Sequence, residues 1–311
     1  MKAGNMQAIQ LDDYGAPDTL IFRELPSPVP GYRQVLLRVQ ATTLNPIELK
    51  LASGKMRNEM PLTFPWTPGA DFSGSIVSLG EGVTDLAPGD EVYGFSSNGG
   101  AYAELILMDD EKVAKKPQSL THVEAASVAL IGQTALQAIN VAELKAGQTI
   151  LIHGASGSVG NAAVQLAHYR GARVIATGSA SSAELIKSYG ADLFVDYKTT
   201  PFESVAGNLD AVLDTVGGDT QTRSFPLLKE NGCLVALTQP PSKETAERYH
   251  VRAIMLDTKS SRATLDEITK LLDSGALKPH IGKIYPLSDV IKAWQEWPSP
   301  QISGKIVFRV K

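Results

Sequence analysis

The sequence predicts an α/β protein in two parts: an all-β, barrel-type unit and a doubly wound parallel sheet. Three observations carry that expectation. From Met6 to about Ser119, short strand-like runs are punctuated by Gly and Pro. From His122 to about Leu256, short apolar runs alternate with helical stretches. Near the start of that alternation, Ile150-Leu151-Ile152-His153 runs into Gly154, Gly157 and Gly160 and then an amphipathic stretch.

In order along the chain, residues 1–5 read as an extension, because the patterned strand begins at Met6. Pro26, Pro28 and Pro30 break the segment before a long β-type run at residues 34–43; proline has a fixed φ and no N–H for a ladder. Residues 79–88 are turn-rich, with Gly80, Gly82 and Pro88-Gly89-Asp90, and residues 102–108 give another strand. Such strands and turns predict a barrel-like unit. Residues 122–144, rich in Ala, Leu and Val, predict a helix split by Gly132.

Strands are then expected at residues 149–153, 173–177, 193–196, 211–214, 233–237 and 251–256. Helices are expected up to about Tyr169, through residues 183–189 with Gly190 closing, and near residues 220–229. The strands are continuously apolar, as a parallel sheet covered on both faces requires. Helices at residues 262–273 and 287–296 and a strand at 305–310 are expected to rejoin the first part. The predicted domains are residues 1–120 with 259–311, and residues 121–258.

A chain of 311 residues, 43% hydrophobic and 20% charged, is an ordinary globular composition for two domains. A net charge of −4 argues against non-specific nucleic-acid binding. No apolar run reaches the roughly 20 residues that cross a bilayer, and no secretory apolar region follows Lys2, so a cytosolic location without a membrane is expected. The single cysteine, Cys233, lies in a predicted buried strand and reads as a small core hydrophobe.

The glycine turn is the motif with chemistry in it. Glycines let the backbone turn tightly and approach a ligand, and the helix that follows offers free N–H groups and a positive dipole end to a pyrophosphate. The spacing is Gly-x-x-Gly-x-x-Gly, with Ala155 and Ser156 where a further glycine is common. A glycine-rich turn without a ligand is the alternative reading; the flanking strand and helix argue for the ligand.

Leu44-Asn45-Pro46-Ile47-Glu48, Pro68-Gly69-Ala70-Asp71-Phe72-Ser73-Gly74, Pro88-Gly89-Asp90-Glu91-Val92, Gly132-Gln133-Thr134-Ala135, the glycine turn, Asp214-Thr215-Val216-Gly217-Gly218 and Gly304-Lys305-Ile306-Val307 occur in this order. Together they resemble the medium-chain dehydrogenase/reductase superfamily, specifically its zinc-independent quinone-oxidoreductase branch, over nearly the whole chain. The resemblance implies a GroES-like catalytic domain, a Rossmann domain and a cleft between them. It also implies a homodimer through the edge strand of the Rossmann sheet. Zinc-dependent members carry a cysteine near Asn45 and Gly-His-Glu where this chain has Gly69-Ala70-Asp71. The five histidines, His122, His153, His168, His250 and His280, show no paired spacing, so no metal site is expected.

The implied cofactor is NADPH. The strand ending Ile175-Ala176-Thr177-Gly178-Ser179 has no carboxylate at its tip to bind a ribose 2′-OH. Hydroxyls at Thr177, Ser179 and Ser181 suit a 2′-phosphate, and Tyr197 matches a family position beside it. Ala183 stands where related chains carry a phosphate-binding lysine; Lys187 and Lys198 are the nearest substitutes. Helix capping by Ser181 or Ser182 is the alternative role for those serines.

Ser156, Gly157, Ser158 and Val159 form the expected pyrophosphate turn. Pro46 and Ile47 are expected beside the nicotinamide ribose, Thr134 beside the nicotinamide, Val216, Gly217 and Thr238 at strand ends facing the cofactor, and Lys305 at the return to the first domain. The catalytic candidates are Asn45, whose amide can donate to nicotinamide, ribose or a substrate carbonyl and which is therefore also a cofactor-binding candidate, and Lys50, as a donor to a carbonyl. The alternatives are a turn-fixing asparagine and a solvated helix lysine. His153 reads as a packed histidine below the turn. The function expected is zinc-independent, NADPH-dependent reduction of a small-molecule quinone or α,β-unsaturated carbonyl by hydride transfer. An enoyl-thioester reductase and a non-catalytic NADPH-binding sensor are the alternatives.

Overall fold

The computed structural model describes residues 4–299 and 302–310. The chain divides into two compact units, one from Met1–Leu130, Ser260–Asp273 and Pro279–Lys311, the other from Ile131–Lys259 and Ser274–Lys278. The division falls within a helix rather than at the 120/121 boundary drawn from sequence.

The first part of the chain forms β1 (Asn5–Gln10), β2 (Ile21–Pro26), β3 (Gln34–Thr43), α1 (Pro46–Ala52), β4 (Asp71–Leu79), β5 (Glu91–Phe95), β6 (Leu105–Asp109) and β7 (Val113–Lys115), followed by α2 (His122–Val141). β1 therefore starts one residue before Met6, and residues 1–3 of the expected extension lie outside the described residues. Then come β8 (Thr149–His153), α3 (Ser158–Tyr169), β9 (Arg173–Gly178), α4 (Ala183–Ser188), β10 (Leu193–Asp196), β11 (Leu209–Asp214), α5 (Gly218–Ser224), β12 (Leu228–Ala236), α6 (Lys243–Arg248) and β13 (Arg252–Met255). The return segment gives α7 (Arg262–Asp273), β14 (Ile281–Pro286), α8 (Val290–Glu296) and β15 (Lys305–Arg309).

In the first unit, β1 and β2 form an antiparallel pair. A larger sheet runs β14-β15-β3-β4-β5-β7, with β6 also on β3. β14 and β15 are parallel and the remaining pairs antiparallel. One core cluster gathers Ile9, Leu44, Trp66, Tyr102, Trp294 and Phe308; another gathers Val35, Leu37, Phe72, Val92 and Met108. The Tyr102 ring meets Trp294 and Phe308 edge-on, with centroids 6.1 and 5.3 Å away. Such pairs contribute about 0.5–1.5 kcal/mol each beyond area burial.

The second unit is a six-stranded parallel sheet in the order β10-β9-β8-β11-β12-β13. The chain runs from β8 out to β9 and β10, then returns to β11 on the other side of β8. The carboxyl ends of β8 and β11 are therefore the topological switch point, where doubly wound sheets bind ligands. Ile150, Leu151, Ile152, Val212, Leu213, Leu234 and Val235 are fully buried, as a sheet covered on both faces demands.

α6 and β14 have no counterpart in the sequence expectation, and α2, α5 and β6 differ from it in extent. α2 is continuous through Gly132, a buried position whose roughly 1 kcal/mol helix penalty is small beside the rest of a twenty-residue helix rich in Ala and Leu. α5 ends at Ser224, because Pro226 follows in a short 3-10 turn and β12 begins at Leu228. The strand expected from residue 102 starts at Leu105, with Ala103 making only an isolated bridge to Ala8. Among the described residues, no helix is long and apolar enough to cross a membrane.

Candidate active site

In the first unit the site grows from the turn between β3 and α1. Pro46, at the first helical position, is pre-organised for a helix start. Its neighbour Asn45 is only 3% exposed, and its side chain is bonded on every side. Nδ2 donates to Asp71 Oδ2 (2.8 Å) and Glu48 Oε1 (3.1 Å), and the Lys305 ammonium donates to Oδ1. The same ammonium stands 3.2 Å from Asp71 Oδ2. Asp71 also accepts from the Thr43 hydroxyl and, at 2.6 Å, from the Leu130 N–H. Glu48 accepts from the N–H groups of Asn45 (3.2 Å) and Ala70 (2.8 Å). The Tyr102 hydroxyl lies 3.1 Å from Glu48 Oε2 and 3.1 Å from the Thr43 carbonyl, and it accepts from Trp294 Nε1 at 3.2 Å.

One ammonium, two carboxylates, an amide and a phenol are thus buried together. Unpaired buried charge is costly, and this network satisfies its members. Burial pushes the Glu48 carboxyl up to about 7, against the opposing pull of its donors and of Lys305. Burial also raises the Tyr102 phenol well above its ordinary value, so it stays protonated. Sequence reasoning named Asn45 and Lys305 for the site but gave no role to Glu48, Asp71, Tyr102 or Trp294. The signal present was a charged residue opening an apolar strand: Asp71 before Phe72 in β4, and Lys305 before Ile306-Val307-Phe308 in β15. Asn45 does not present a free amide; both Nδ2 hydrogens have carboxylate acceptors within the unit.

Pro46 is exposed, while Ile47 packs on the aromatic core cluster. Lys50 stands apart from the buried network, at the solvent-facing end of α1. It borders a groove of about 460 Å³ lined also by Pro46, Leu49, Trp294 and Trp297.

In the second unit the glycine turn lies at the switch point. Gly154 has φ +66°, a left-handed conformation that favours glycine. A Cβ on Gly160 would lie 2.3 Å from the Gly154 carbonyl oxygen, so only glycine lets α3 start this close to β8. α3 begins at Ser158 with Gly157 as its cap, and no side chain caps the first-turn N–H groups. Ser156, Ser158 and Val159 are half-exposed and Gly157 exposed. Asn161, one turn on, has a buried Nδ2 with no partner among the described residues. An uncapped twelve-residue helix at this point suits a pyrophosphate.

Around the turn stand the ends of the neighbouring strands. Asp214 ends β11 buried, its Oδ1 accepting from the N–H groups of Val216 (2.9 Å) and Gly217 (2.8 Å). That leaves the Val216 side chain 53% exposed, an apolar face open beside the turn. Thr238 follows β12, and a Cβ on Gly217 would meet its hydroxyl at 2.6 Å. Ser179 Oγ is 3.0 Å from Ser181 Oγ beyond β9. The Tyr197 N–H bonds the Gly178 carbonyl at 3.3 Å, which brings exposed Tyr197 and Lys198 to the same strand ends. Glu184 faces outward on α4, 3.8 Å from Lys187.

The serine roles separate cleanly here. Ser182 donates to the Ser179 carbonyl at 2.8 Å, which leaves half-exposed Ser179 and exposed Ser181 as the pair open to a ligand. Thr177 does not join them. Its hydroxyl is buried and donates to His153 Nδ1 at 3.0 Å, while His153 Nε2–H donates to Ser224 Oγ at 2.9 Å, because the Ser224 hydrogen goes to the Thr220 carbonyl. Burial lowers His153 to about 4, so it is a neutral bridge from β9 to the end of α5. Thr134, 7% exposed on α2, receives the Thr258 hydroxyl at 3.1 Å. Among the described residues, no three His, Cys, Asp or Glu side chains are grouped to hold a metal ion.

Two family models match the chain: an alcohol dehydrogenase GroES-like domain over residues 31–118 and a zinc-binding dehydrogenase over residues 189–308. The chain is similar to the chloroplast envelope quinone oxidoreductase homolog of Arabidopsis thaliana, at 34% identity over 97% of this chain and 98% of that one. It is also similar to the chloroplastic NADPH-dependent alkenal/one oxidoreductase of Arabidopsis thaliana, at 32% identity over 97% of this chain and 79% of that one. Among solved structures, the quinone oxidoreductase from Coxiella burnetii superimposes with a TM-score of 0.90 at 34% identity, covering 99% of this chain and 100% of that one.

Proposed function

The chain belongs to the medium-chain dehydrogenase/reductase superfamily, in its quinone-oxidoreductase-like branch, and on that premise we propose that it is an NADPH-dependent reductase of quinones or α,β-unsaturated carbonyls. The observation that carries the reading is the uncapped, glycine-turned start of α3 at the switch point, beside a strand tip lined by hydroxyls. Ser156, Gly157, Ser158 and Val159 bind the pyrophosphate through backbone N–H groups. Ser179, Ser181, Tyr197 and Lys198 receive the 2′-phosphate, with Gly178 giving the chain its turn toward them. Val216, Gly217 and Thr238 border the cofactor, Thr134 the nicotinamide, and Pro46 and Ile47 its ribose. When bound, NADPH supplies a hydride.

On the acceptor side, Lys305 and Asn45 hold the electropositive part of the buried network, with Asp71 fixing both. The Lys305 ammonium gives two hydrogens to Asn45 and Asp71, and its third is the donor assigned to the acceptor's carbonyl oxygen; water supplies the final proton. The reading is zinc-independent because the donor set does not suit a metal: the ammonium of Lys305 already occupies the carboxylate of Asp71. It also includes a cytosolic homodimer, whose assembly sedimentation of the purified chain checks.

The test is loss of reduced-nicotinamide absorbance with benzoquinone, phenanthrenequinone, an alkenal and crotonyl-CoA, each with NADPH and with NADH. Turnover of quinones or the alkenal with NADPH is expected. Turnover confined to crotonyl-CoA makes the protein an enoyl-thioester reductase. Tight NADPH binding with no turnover makes it a non-catalytic NADPH-binding protein.

A further inference from the structure

We propose that Glu48 is a positioning residue for this reaction, a buried carboxyl that alternates between a protonated and an ionised state and thereby sets how firmly Asn45 and Lys305 are held. The inference rests on the reductase reading and extends it to a residue that touches neither cofactor nor acceptor.

The geometry carries two complete hydrogen-bond patterns. Tyr102 has one hydroxyl hydrogen and two acceptors at 3.1 Å, the Thr43 carbonyl and Glu48 Oε2. With Glu48 ionised, the Tyr102 hydrogen turns to Oε2. With Glu48 protonated on Oε2, the carboxyl donates to the Tyr102 oxygen and the Tyr102 hydrogen turns to the Thr43 carbonyl. Only a hydroxyl rotor moves, and the proton is exchanged with solvent. Trp294 Nε1 donates to Tyr102 in both states.

The charges facing Glu48 explain why the two states are close in energy. They are Lys305 from β15 and Asp71 from β4, which shares the Asn45 amide with Glu48, and the neutral phenol of Tyr102, between β5 and β6, is the titratable group bonded to it. Lys305 already pairs with Asp71, so its charge is shared and the direct bonds to Glu48 come from neutral donors. The ionised state gives the cluster an excess negative charge that draws the ammonium and the Asn45 amide inward. The protonated state leaves it neutral. Burial holds this carboxyl at about 7, so both states are populated near neutrality.

The experiment uses the full chain. In wild type, an infrared pH titration gives a protonated-carboxyl band that disappears near pH 7, and Glu48→Gln lacks it. The pH profile of kcat/KM with NADPH and benzoquinone has a limb at the same point. Glu48→Gln matches wild type below it and departs from it above, by roughly tenfold. A purely structural glutamate would instead lose activity equally at all pH values. Tyr102→Phe, which keeps the ring, moves the infrared midpoint and the kinetic limb upward together by about one pH unit, because the ionised carboxyl loses a donor. Persistence of the band or of the wild-type limb in Glu48→Gln overturns the proposal. If no acceptor is reduced, the reductase reading falls separately. NADPH affinity across the same pH range then decides for Glu48: a change in wild type that Glu48→Gln abolishes supports it, and matching curves overturn it.

Discussion

The two units bury their polar groups in opposite senses. In the first, Asp71, Glu48, Asn45 and Lys305 saturate one another, and the cluster holds a carboxyl whose buried neutral form is favoured. In the second, His153 is neutral between Thr177 and Ser224, while the α3 terminus nearby leaves its first-turn N–H groups uncapped. The first arrangement is complete without a ligand; the second has donors to give to one.

The sharpest way to break that contrast is to uncouple the ion pair. Asp71→Ala leaves the Lys305 ammonium buried without its carboxylate and is expected to cost about 3–5 kcal/mol, read from urea midpoints. Asp71→Ala combined with Lys305→Met removes both charges and is expected to recover most of that loss.

pH sharpens it next. Glu48 is raised from 4.5 to about 7, so between those values the folded state holds a proton that the unfolded state has released. Its contribution is full below pH 4.5 and is lost as pH rises through 7, on the order of 3 kcal/mol. His153 runs the other way. Lowered from 6.5 to about 4, it contributes above pH 6.5 and loses that contribution as pH falls through 4, by a similar amount. Calorimetry across pH 4–8 should therefore show a stability decline toward acid in Glu48→Gln that is partly masked in wild type. His153→Gln should show the opposite slope.

Gly160→Ala puts a Cβ against the Gly154 carbonyl and Ala155 Cα. It should cost about 1–3 kcal/mol of stability and weaken NADPH binding in titration calorimetry while leaving the Glu48 infrared band in place. The smallest effect is at the β9 tip. Ser179→Ala should weaken NADPH, and not NADH, by the worth of one hydrogen bond, about 0.5–1.5 kcal/mol.

The legible parts of this molecule were those written in local period. The apolar runs of β8, β9, β11 and β12 and the glycines between β8 and α3 announce a parallel sheet with a tight turn at its carboxyl edge, and all lie within neighbouring stretches. The Thr177 hydroxyl differs from the expectation because residue type says nothing of which face of a strand a hydroxyl takes; this one faces His153. The carboxylate network was illegible for another reason. Its members come from β3, α1, β4, β15 and the loop before β6, and no local pattern states that Glu48 meets Tyr102 or that Asp71 meets Lys305. The motifs named Asn45 and Lys305 separately, but their contact spans 260 residues and emerges only from the folded sheet.

That span has a consequence for the order in which the molecule is made. A ribosome delivers β3, α1 and β4 early, then every strand of the second unit, and only afterwards Lys305. Through that interval Asp71 and Glu48 have no cation to close on, so the first unit waits half-built while the second has all its strands to hand. Synthesis thus favours completing the nucleotide-type sheet first, with the arrival of one lysine sealing the other half.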